Sequence, residues 1–191
     1  MGAMKRLALF LTLLLGLALA EAPLANPFDP LFWKKATPKD VQTLFNDLAE
    51  GEKAAIPELV KRTDRFGRAA LHYAAALSPD PEVVATLIDL GADVNQPDLL
   101  KFTPLHYAAA FNENPAVSAV LIEKGADLGA RDLEGRTPLH TAAMNQKNPE
   151  VVKLLLKKGA DKKATDAYGK TPYDYAQENP ALQPVLDLLK P

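Results

Sequence analysis

Two kinds of short amphipathic segment alternate along the chain. In the first kind, Leu105, Ala108 and Ala109 fall at positions i, i+3 and i+4, so they share one face of a helix. In the second kind, Val151, Leu154 and Leu155 keep the same spacing. Because the alanines are small, neighbouring helices can approach closely at that face. The pattern predicts pairs of short helices that bury one side against their neighbours.

The helix pairs recur with a constant period. The tetrapeptide Thr-Pro-Leu-His stands at 103–106 and at 137–140, and altered copies stand at 69–72 and 171–174, a step of 34 residues. An aspartate precedes each copy at the same step, and Gly-Ala-Asp follows the first three copies. Self-similarity at this period is typical of a stacked array of repeats. The aspartates are Asp64, Asp98, Asp132 and Asp166.

Start and stop signals agree with this period. Thr103 and Thr137 are suited to cap the first helix of a repeat, with a proline at the first helical position, where its missing N–H costs nothing. Asn114 and Asn148 repeat the cap-and-proline start for the second helix. Glycine follows each second helix, where a left-handed residue is favoured.

These motifs resemble the ankyrin repeat, and the resemblance covers residues 64–189. It implies an all-α solenoid with hairpin-like turns between stacked helix pairs. The family's usual period is roughly 33 residues, and we place the additional residue in the loop between the two helices. The expected organisation is a signal peptide (1–20), a linker (21–30), a degenerate amino-terminal capping repeat (31–63), three repeats (64–97, 98–131 and 132–165) and a carboxy-terminal capping repeat (166–191).

The two end units depart from the consensus. The segment that begins Thr37-Pro38 matches the second helix of the next repeat, but residues 51–57 stand where the others have Gly-Ala-Asp. At the other end, residues 185–189 align at one period with 151–155, and Pro180, Pro184 and Pro191 interrupt the sequence around them. End repeats are expected to be atypical because one of their faces meets water.

The first twenty residues have the pattern of a cleavable export signal. Lys5 and Arg6 precede an uncharged run at 7–20, which is shorter than the roughly 20 residues that a spanning helix needs. Ala18-Leu19-Ala20 is a small-x-small site. We expect cleavage before Glu21 and a bacterial periplasmic or secreted protein without a membrane anchor. The alternative is an uncleaved anchor.

Charge and composition exclude several classes of function. The formal net charge is −2, and removal of the first twenty residues makes it −4, which argues against nucleic-acid binding. The chain has no cysteine, so it has no disulfide and no thiol nucleophile.

The histidines and aspartates are the natural candidates for chemistry. His72, His106 and His140 occupy equivalent positions in successive repeats. Packed helices stand about 8–10 Å apart, whereas a zinc ligand lies about 2 Å from the metal, so the three histidines cannot share one ion. The resemblance implies structural roles for them and for the turn aspartates. We therefore expect no enzyme activity, no cofactor and no metal.

The positions that the repeat leaves variable are more informative about binding. In ankyrin repeats the turn tips and the exposed side of the first helices form a concave surface that binds partners. The corresponding positions here combine apolar side chains with arginines, which is the composition of interface hot spots. They are Arg65, Phe66, Arg68, Leu77, Leu99, Leu100, Phe102, Phe111, Leu133, Arg136, Met144 and Tyr168.

Two alternatives remain open for that surface. Phe102 and Leu99 would fold back onto neighbouring turns, or the amino-terminal segment with Phe28, Phe32 and Trp33 would cover them. Lys101, which stands where the other turns have glycine, leaves the conformation of its turn open.

The function expected from the sequence is a monomeric, exported, non-catalytic module that binds another protein. The first alternative is an inhibitor or protector of one exported enzyme. The second is a metal or small-molecule binder that uses the histidines.

Overall fold

The computed structural model describes residues 27–52 and 54–191. The predicted signal peptide and residues 21–26 of the predicted linker lie outside them. The described residues form eleven α-helices and one 3₁₀ helix, without a β-strand. The α-helices are α1 (Pro30–Trp33), α2 (Pro38–Glu52), α3 (Ile56–Leu59), α4 (Ala70–Leu77), α5 (Pro81–Asp89), α6 (Pro104–Phe111), α7 (Pro115–Glu123), α8 (Pro138–Asn145), α9 (Pro149–Lys157), α10 (Pro172–Ala176) and α11 (Leu186–Leu189).

The helices stack in two rows. The inner row contains α4, α6, α8 and α10, each packed on the next, and the outer row contains α2, α5, α7 and α9. Paired alanines such as Ala108 and Ala109 are fully buried between inner helices, and leucines such as Leu121 and Leu155 are fully buried beneath the outer ones. One continuous core therefore runs along the array, and the predicted all-α solenoid is confirmed.

The helix starts follow the predicted signals. Asp80, Asn114 and Asn148 are the N-caps of the outer helices, and each side chain accepts a hydrogen bond of 3.0 Å from the N–H two residues later. Thr103 and Thr137 occupy the N-cap positions of α6 and α8. Their hydroxyls lie 2.9 Å from Nδ1 of the following histidine.

Tight turns join the repeats and hydrogen-bond to one another. The N–H of each turn aspartate donates to a carbonyl four residues later, as from Asp98 to Phe102 at 2.9 Å. Successive turns are then linked by backbone hydrogen bonds, including Leu99 N–H to Phe66 O at 3.0 Å and Leu133 N–H to Leu100 O at 3.1 Å. The turns therefore form a continuous row beside the inner helices.

Lys101 adopts a left-handed conformation in the second turn, with φ of 63°, where the other three turns have glycines with φ of 73° to 80°. A residue with a side chain is strained in this region.

Lys101→Gly is therefore expected to raise the free energy of unfolding by about 0.5–1 kcal/mol, because relief of the backbone strain outweighs the extra conformational entropy of glycine in the unfolded chain. Urea denaturation of both proteins measures this change in the free energy of unfolding. Lys101→Ala loses the same charge but keeps the strain, so an equal gain in both variants would contradict the explanation.

The amino-terminal segment packs as an end unit. Helix α1 contacts the inner helix α4, and α2 contacts the outer helix α5. Trp33 in α1 is fully buried, and its indole N–H donates to the carbonyl of Pro27 at 3.0 Å. Helix α2 runs through Gly51 to Glu52 and α3 begins at Ile56, so both ends of the 51–57 insertion are helical.

The carboxy-terminal unit differs from the alignment at 185–189. A 3₁₀ helix spans Pro180–Val185, and only Leu186–Leu189 is α-helical. Pro184 lies inside the 3₁₀ segment and has no N–H for an α-helical bond, which accounts for the shorter α-helix. Leu182, Val185 and Leu189 nevertheless remain buried and close the core at this end.

Across residues 27–52 and 54–191, no helix combines the length and apolar character needed to cross a bilayer.

Candidate functional site

The predicted surface residues divide by exposure into two groups. Seven are exposed: Arg65, Phe66, Leu99, Leu100, Phe111, Leu133 and Tyr168. Five are half-buried: Arg68, Leu77, Phe102, Arg136 and Met144. Among the large apolar and aromatic residues of the first group, Tyr168 is 69% exposed, Leu99 68% and Phe111 59%. The turns between repeats and the inner helix α6 thus present large apolar side chains to solvent.

Aromatic rings of successive repeats meet on the inner helices. The ring centre of Tyr107 lies 6.1 Å from that of Phe102, 6.2 Å from that of Phe111 and 5.4 Å from that of His72. Phe102 also packs edge-on against His106 at 5.5 Å. Phe102 therefore packs on the first helix of its own repeat, and Arg136 of the following turn lies 5.6 Å from its ring centre, so the alternative of contact with a neighbouring turn applies in part to Phe102. Leu99 stays exposed.

Tyr73, Tyr107 and Tyr175 belong to this face but were missed by the sequence analysis. Each tyrosine directly follows the last residue of the repeated tetrapeptide, in the first helix of its repeat. Its hydroxyl donates to the turn aspartate nine residues earlier at 2.6–2.8 Å. The signal was available, since the three tyrosines keep the 34-residue register, and only the third repeat has threonine there. Their half-buried rings line the concave side beside the turns.

A groove of about 290 Å³ lies at the amino-terminal end of this face. Arg68, Tyr73, Tyr107 and Phe111 line it together with Pro30 of α1. Phe28 lies 6.3 Å from Tyr73, ring centre to ring centre. The amino-terminal segment therefore forms one wall of the groove, while the turn tips remain exposed. The remaining lining residues are His72, Ala76 and Leu77.

Two of the predicted rim arginines hold the turns together. Arg68 Nη2 lies 2.7 Å from Asp64 Oδ2, and Arg136 Nε lies 2.7 Å from Asp132 Oδ2. Burial alone would raise the pKa of Asp64, but hydrogen bonds from Tyr73, Arg68 and two backbone N–H groups lower it to about 2. Arg68 also stacks on the rings of Phe66 and Tyr73, 4.7 and 4.9 Å from their centres. Both arginines therefore stabilise their own turns, and only part of each side chain is exposed to solvent.

The histidines connect each repeat to the next. In His106, Nδ1 accepts from the N–H of Thr103 at 3.1 Å, and Nε2 lies 3.0 Å from the carbonyl of Arg136 in the following turn. His72 and His140 make the equivalent pairs of contacts. A neutral ring with its proton on Nε2 satisfies both contacts. Within residues 27–52 and 54–191, no three histidine or acidic side chains are grouped closely enough to hold a metal ion.

The histidines make stability sensitive to mild acid. Burial lowers the pKa of His72, His106 and His140 below the usual 6.5. Their contribution to stability is therefore complete above pH 6.5 and is lost as the pH falls towards the folded-state values, because the unfolded chain binds more protons. The free energy of unfolding should fall by up to about 1.4 kcal/mol per pH unit for each histidine. Urea denaturation between about pH 5 and pH 7.5 measures this slope.

The last repeat supplies a control for this dependence. Asp174 replaces the histidine there, and its carboxylate accepts from the N–H of Thr171 at 2.7 Å. His140→Asp keeps that type of bond but removes one titrating ring, so its slope should be about two thirds of the wild-type slope. Identical slopes of the free energy of unfolding against pH in the variant and the wild type would show that protonation of His140 on unfolding does not contribute to the pH dependence.

Comparison with known proteins agrees with this geometry. A family model described as ankyrin repeats (3 copies) matches the chain over residues 39–132 and again over 105–190. No curated protein matches the chain. The two matches together span most of the sequence, with the repeated Asp turn, histidine contact and paired helices inside them. This chain therefore belongs to the ankyrin repeat family.

Proposed function

We propose that this chain is an exported, non-catalytic module that binds another protein on its concave face. Ankyrin repeats are generally protein–protein interaction modules. The observation that carries the proposal is the exposure of Phe111, Leu99 and Leu100 on a stacked scaffold whose turn aspartates and histidines are bonded internally. Contiguous exposed apolar surface rimmed by arginine is typical of interfaces. A preformed surface also loses little conformational entropy on binding.

The proposed location rests on the first twenty residues alone. Their charge and hydropathy pattern favours export to a bacterial periplasm or beyond. The mature chain is further proposed to be monomeric and to bind neither membrane nor nucleic acid, the last because its net charge would be −4. The alternative function, inhibition or protection of one exported enzyme, would use the same surface and would differ only in the identity of the partner.

The titratable side chains support a non-catalytic role. The turn aspartates and the histidines are occupied by hydrogen bonds within and between repeats. A general acid or base must instead be free to reach a substrate proton. The absence of a metal-ligand group in the described part of the chain also gives no support to the metal-binding alternative.

Phe111 is the sharper probe of this surface because it is exposed, whereas Phe102 is half-buried and packs on both His106 and Tyr107. With 59% of its side chain exposed, Phe111→Ala should change the free energy of unfolding by less than about 0.5 kcal/mol. It should weaken partner binding by about 2 kcal/mol, roughly 30-fold. Titration calorimetry against the captured partner, together with thermal denaturation, separates the two effects.

The partner is to be captured by a photo-crosslinking amino acid at position 111 or 99 in cells of the source organism. Position 147, in the loop before α9, is the control. The proposal expects a discrete adduct from the first two positions and none from the third. Adducts from position 147 alone, or no adduct at all, would refute it.

A further inference from the structure

The turn row has a charge opposite to that of the whole chain. We define it as the four tips at 65–68, 99–102, 133–136 and 167–170. The chain has a formal net charge of −2, yet the tips contain five basic residues and one acidic residue. The basic residues are Arg65, Arg68, Lys101, Arg136 and Lys170, and the acidic one is Glu134.

The carboxylates beside the row already have hydrogen-bond partners within the chain. Asp98 accepts from the N–H groups of Leu100 and Phe102 through one oxygen and from the Tyr107 hydroxyl through the other. Asp64, Asp132 and Asp166 are bonded in the same manner by their own turns and by Arg or Tyr side chains. Glu134 pairs with Arg136 at 2.9 Å.

The cations at the tips are the groups left for a ligand. Arg65, Lys101 and Lys170 are exposed, and none has an ion pair within residues 27–52 and 54–191. Arg65 lies over the Phe66 ring at 4.7 Å, and Lys170 over the Tyr175 ring at 5.0 Å, so both cations stand beside apolar surface. Leu99, Leu100 and Leu133 are exposed on the second and third turns, which lie between the turns of Arg65 and Lys170.

We propose that the turn row binds an extended protein segment in which acidic residues are interspersed with apolar ones. The inference rests on the proposed function and specifies its partner. Stacked repeats are spaced by about 8–10 Å, and a segment in the extended polyproline II conformation rises about 3.1 Å per residue with three residues per turn. Acidic residues three positions apart therefore lie on one side of the segment and face successive turns, and apolar side chains between them contact the leucines and Phe66. Charge complementarity selects acidic segments over basic ones.

The experiment is a selection that does not assume the answer. A random dodecapeptide library displayed on phage is panned against the full mature chain, and selected peptides are resynthesised for fluorescence anisotropy. The inference expects enrichment of aspartate and glutamate together with leucine or aromatic residues, and binding that weakens with added salt. Selected peptides that are basic or show no charge bias overturn it.

Matched charge variants locate the binding. The double variant Lys101→Gly/Lys170→Gln removes two cations from the turn tips. Because Lys101→Gly relieves the backbone strain at that position, loss of binding by this variant is not a folding defect. Lys147→Gln/Lys157→Gln removes the same charge from exposed positions outside the row. The tip variant should bind roughly 2- to 30-fold more weakly and the control should bind as wild type does. Equal effects of the two variants overturn the inference.

The outcomes also separate this inference from the proposed function. Peptides without acidic enrichment whose binding is lost in Phe111→Ala would overturn the acidic segment while leaving the concave face as a binding surface. Displacement of every selected peptide by heparin, combined with tight heparin binding at physiological salt, would overturn it in favour of a general polyanion site.

Discussion

Replacing Gln146 by leucine is expected to lower the free energy of unfolding by about 3 kcal/mol or more. The Gln146 amide is buried in the loop between α8 and α9 and satisfies four backbone groups. Its NH₂ donates to the carbonyls of Ala109 and Asn112 in the previous repeat, both at 3.0 Å. Its oxygen accepts from the N–H groups of Lys147 and Asn148 at 2.9 and 3.0 Å. Leucine would fill the space but leave all four groups without their partner.

The preceding repeat provides the control for this change. Asn112 stands one period earlier, and its amide donates to the carbonyls of Ala75 and Ser78 at 3.0 and 2.7 Å. Gln146→Asn is therefore expected to cost about 1 kcal/mol or less, since most of the bonds can be remade. Chemical denaturation followed by circular dichroism measures both variants. If leucine and asparagine cost the same, amide hydrogen bonds do not hold the repeats together at this loop.

Trp33→Ala is expected to destabilise the amino-terminal end unit by about 3–5 kcal/mol. Trp33 is fully buried, packs edge-on against Phe32 with ring centres 4.8 Å apart, and donates its indole N–H to Pro27. Truncation removes that contact area and leaves a cavity that α1 and α2 cannot close. In a stacked array each unit contacts only its neighbours, so the loss should appear first in α1 and α2.

Amide hydrogen exchange distinguishes a local effect from a global one. Protection in α2 should fall, while α6 and α8 keep their protection. Leu31→Ala is the control, because Leu31 lies two residues earlier in the same helix with 70% of its side chain exposed. It should change stability by less than about 0.5 kcal/mol. A similar loss of protection in both variants would show that Trp33 does not anchor the end unit.

Stability and binding draw on different residues in this chain. The histidines, turn aspartates and loop amides bond one repeat to the next, whereas Phe111 and the leucines of the turn row contribute exposed surface. Phe102 and Arg68 belong partly to both groups, since Phe102 packs on Tyr107 and Arg68 pairs with Asp64. Substitutions at those two positions will mix losses of binding and of stability, so they are poor single probes of the partner surface.

The predicted repeats, helix starts and all-α fold came from local rules. Asn148 followed by Pro149 specifies a helix start wherever it occurs, and paired alanines specify close packing. The carboxy-terminal unit was less predictable because Pro184 competes with the periodic pattern, and the result is a 3₁₀ segment. Sequence spacing also identified the candidate surface residues but did not rank their exposure, since Phe102 and Leu99 lie in the same turn and differ in what packs beside them.

By itself, the sequence determined the array: a 34-residue period of motifs whose helices cannot bury their apolar faces alone, so that stacking follows. Tertiary structure decided which variable side chains remain outside. It also showed that Gln146, Tyr107 and the histidines satisfy groups about 34, 9 and 30 residues away in sequence. The physical reason is that backbone preferences and periodicity act within a few residues, whereas burial and hydrogen-bond satisfaction depend on the neighbour that stacking brings into contact.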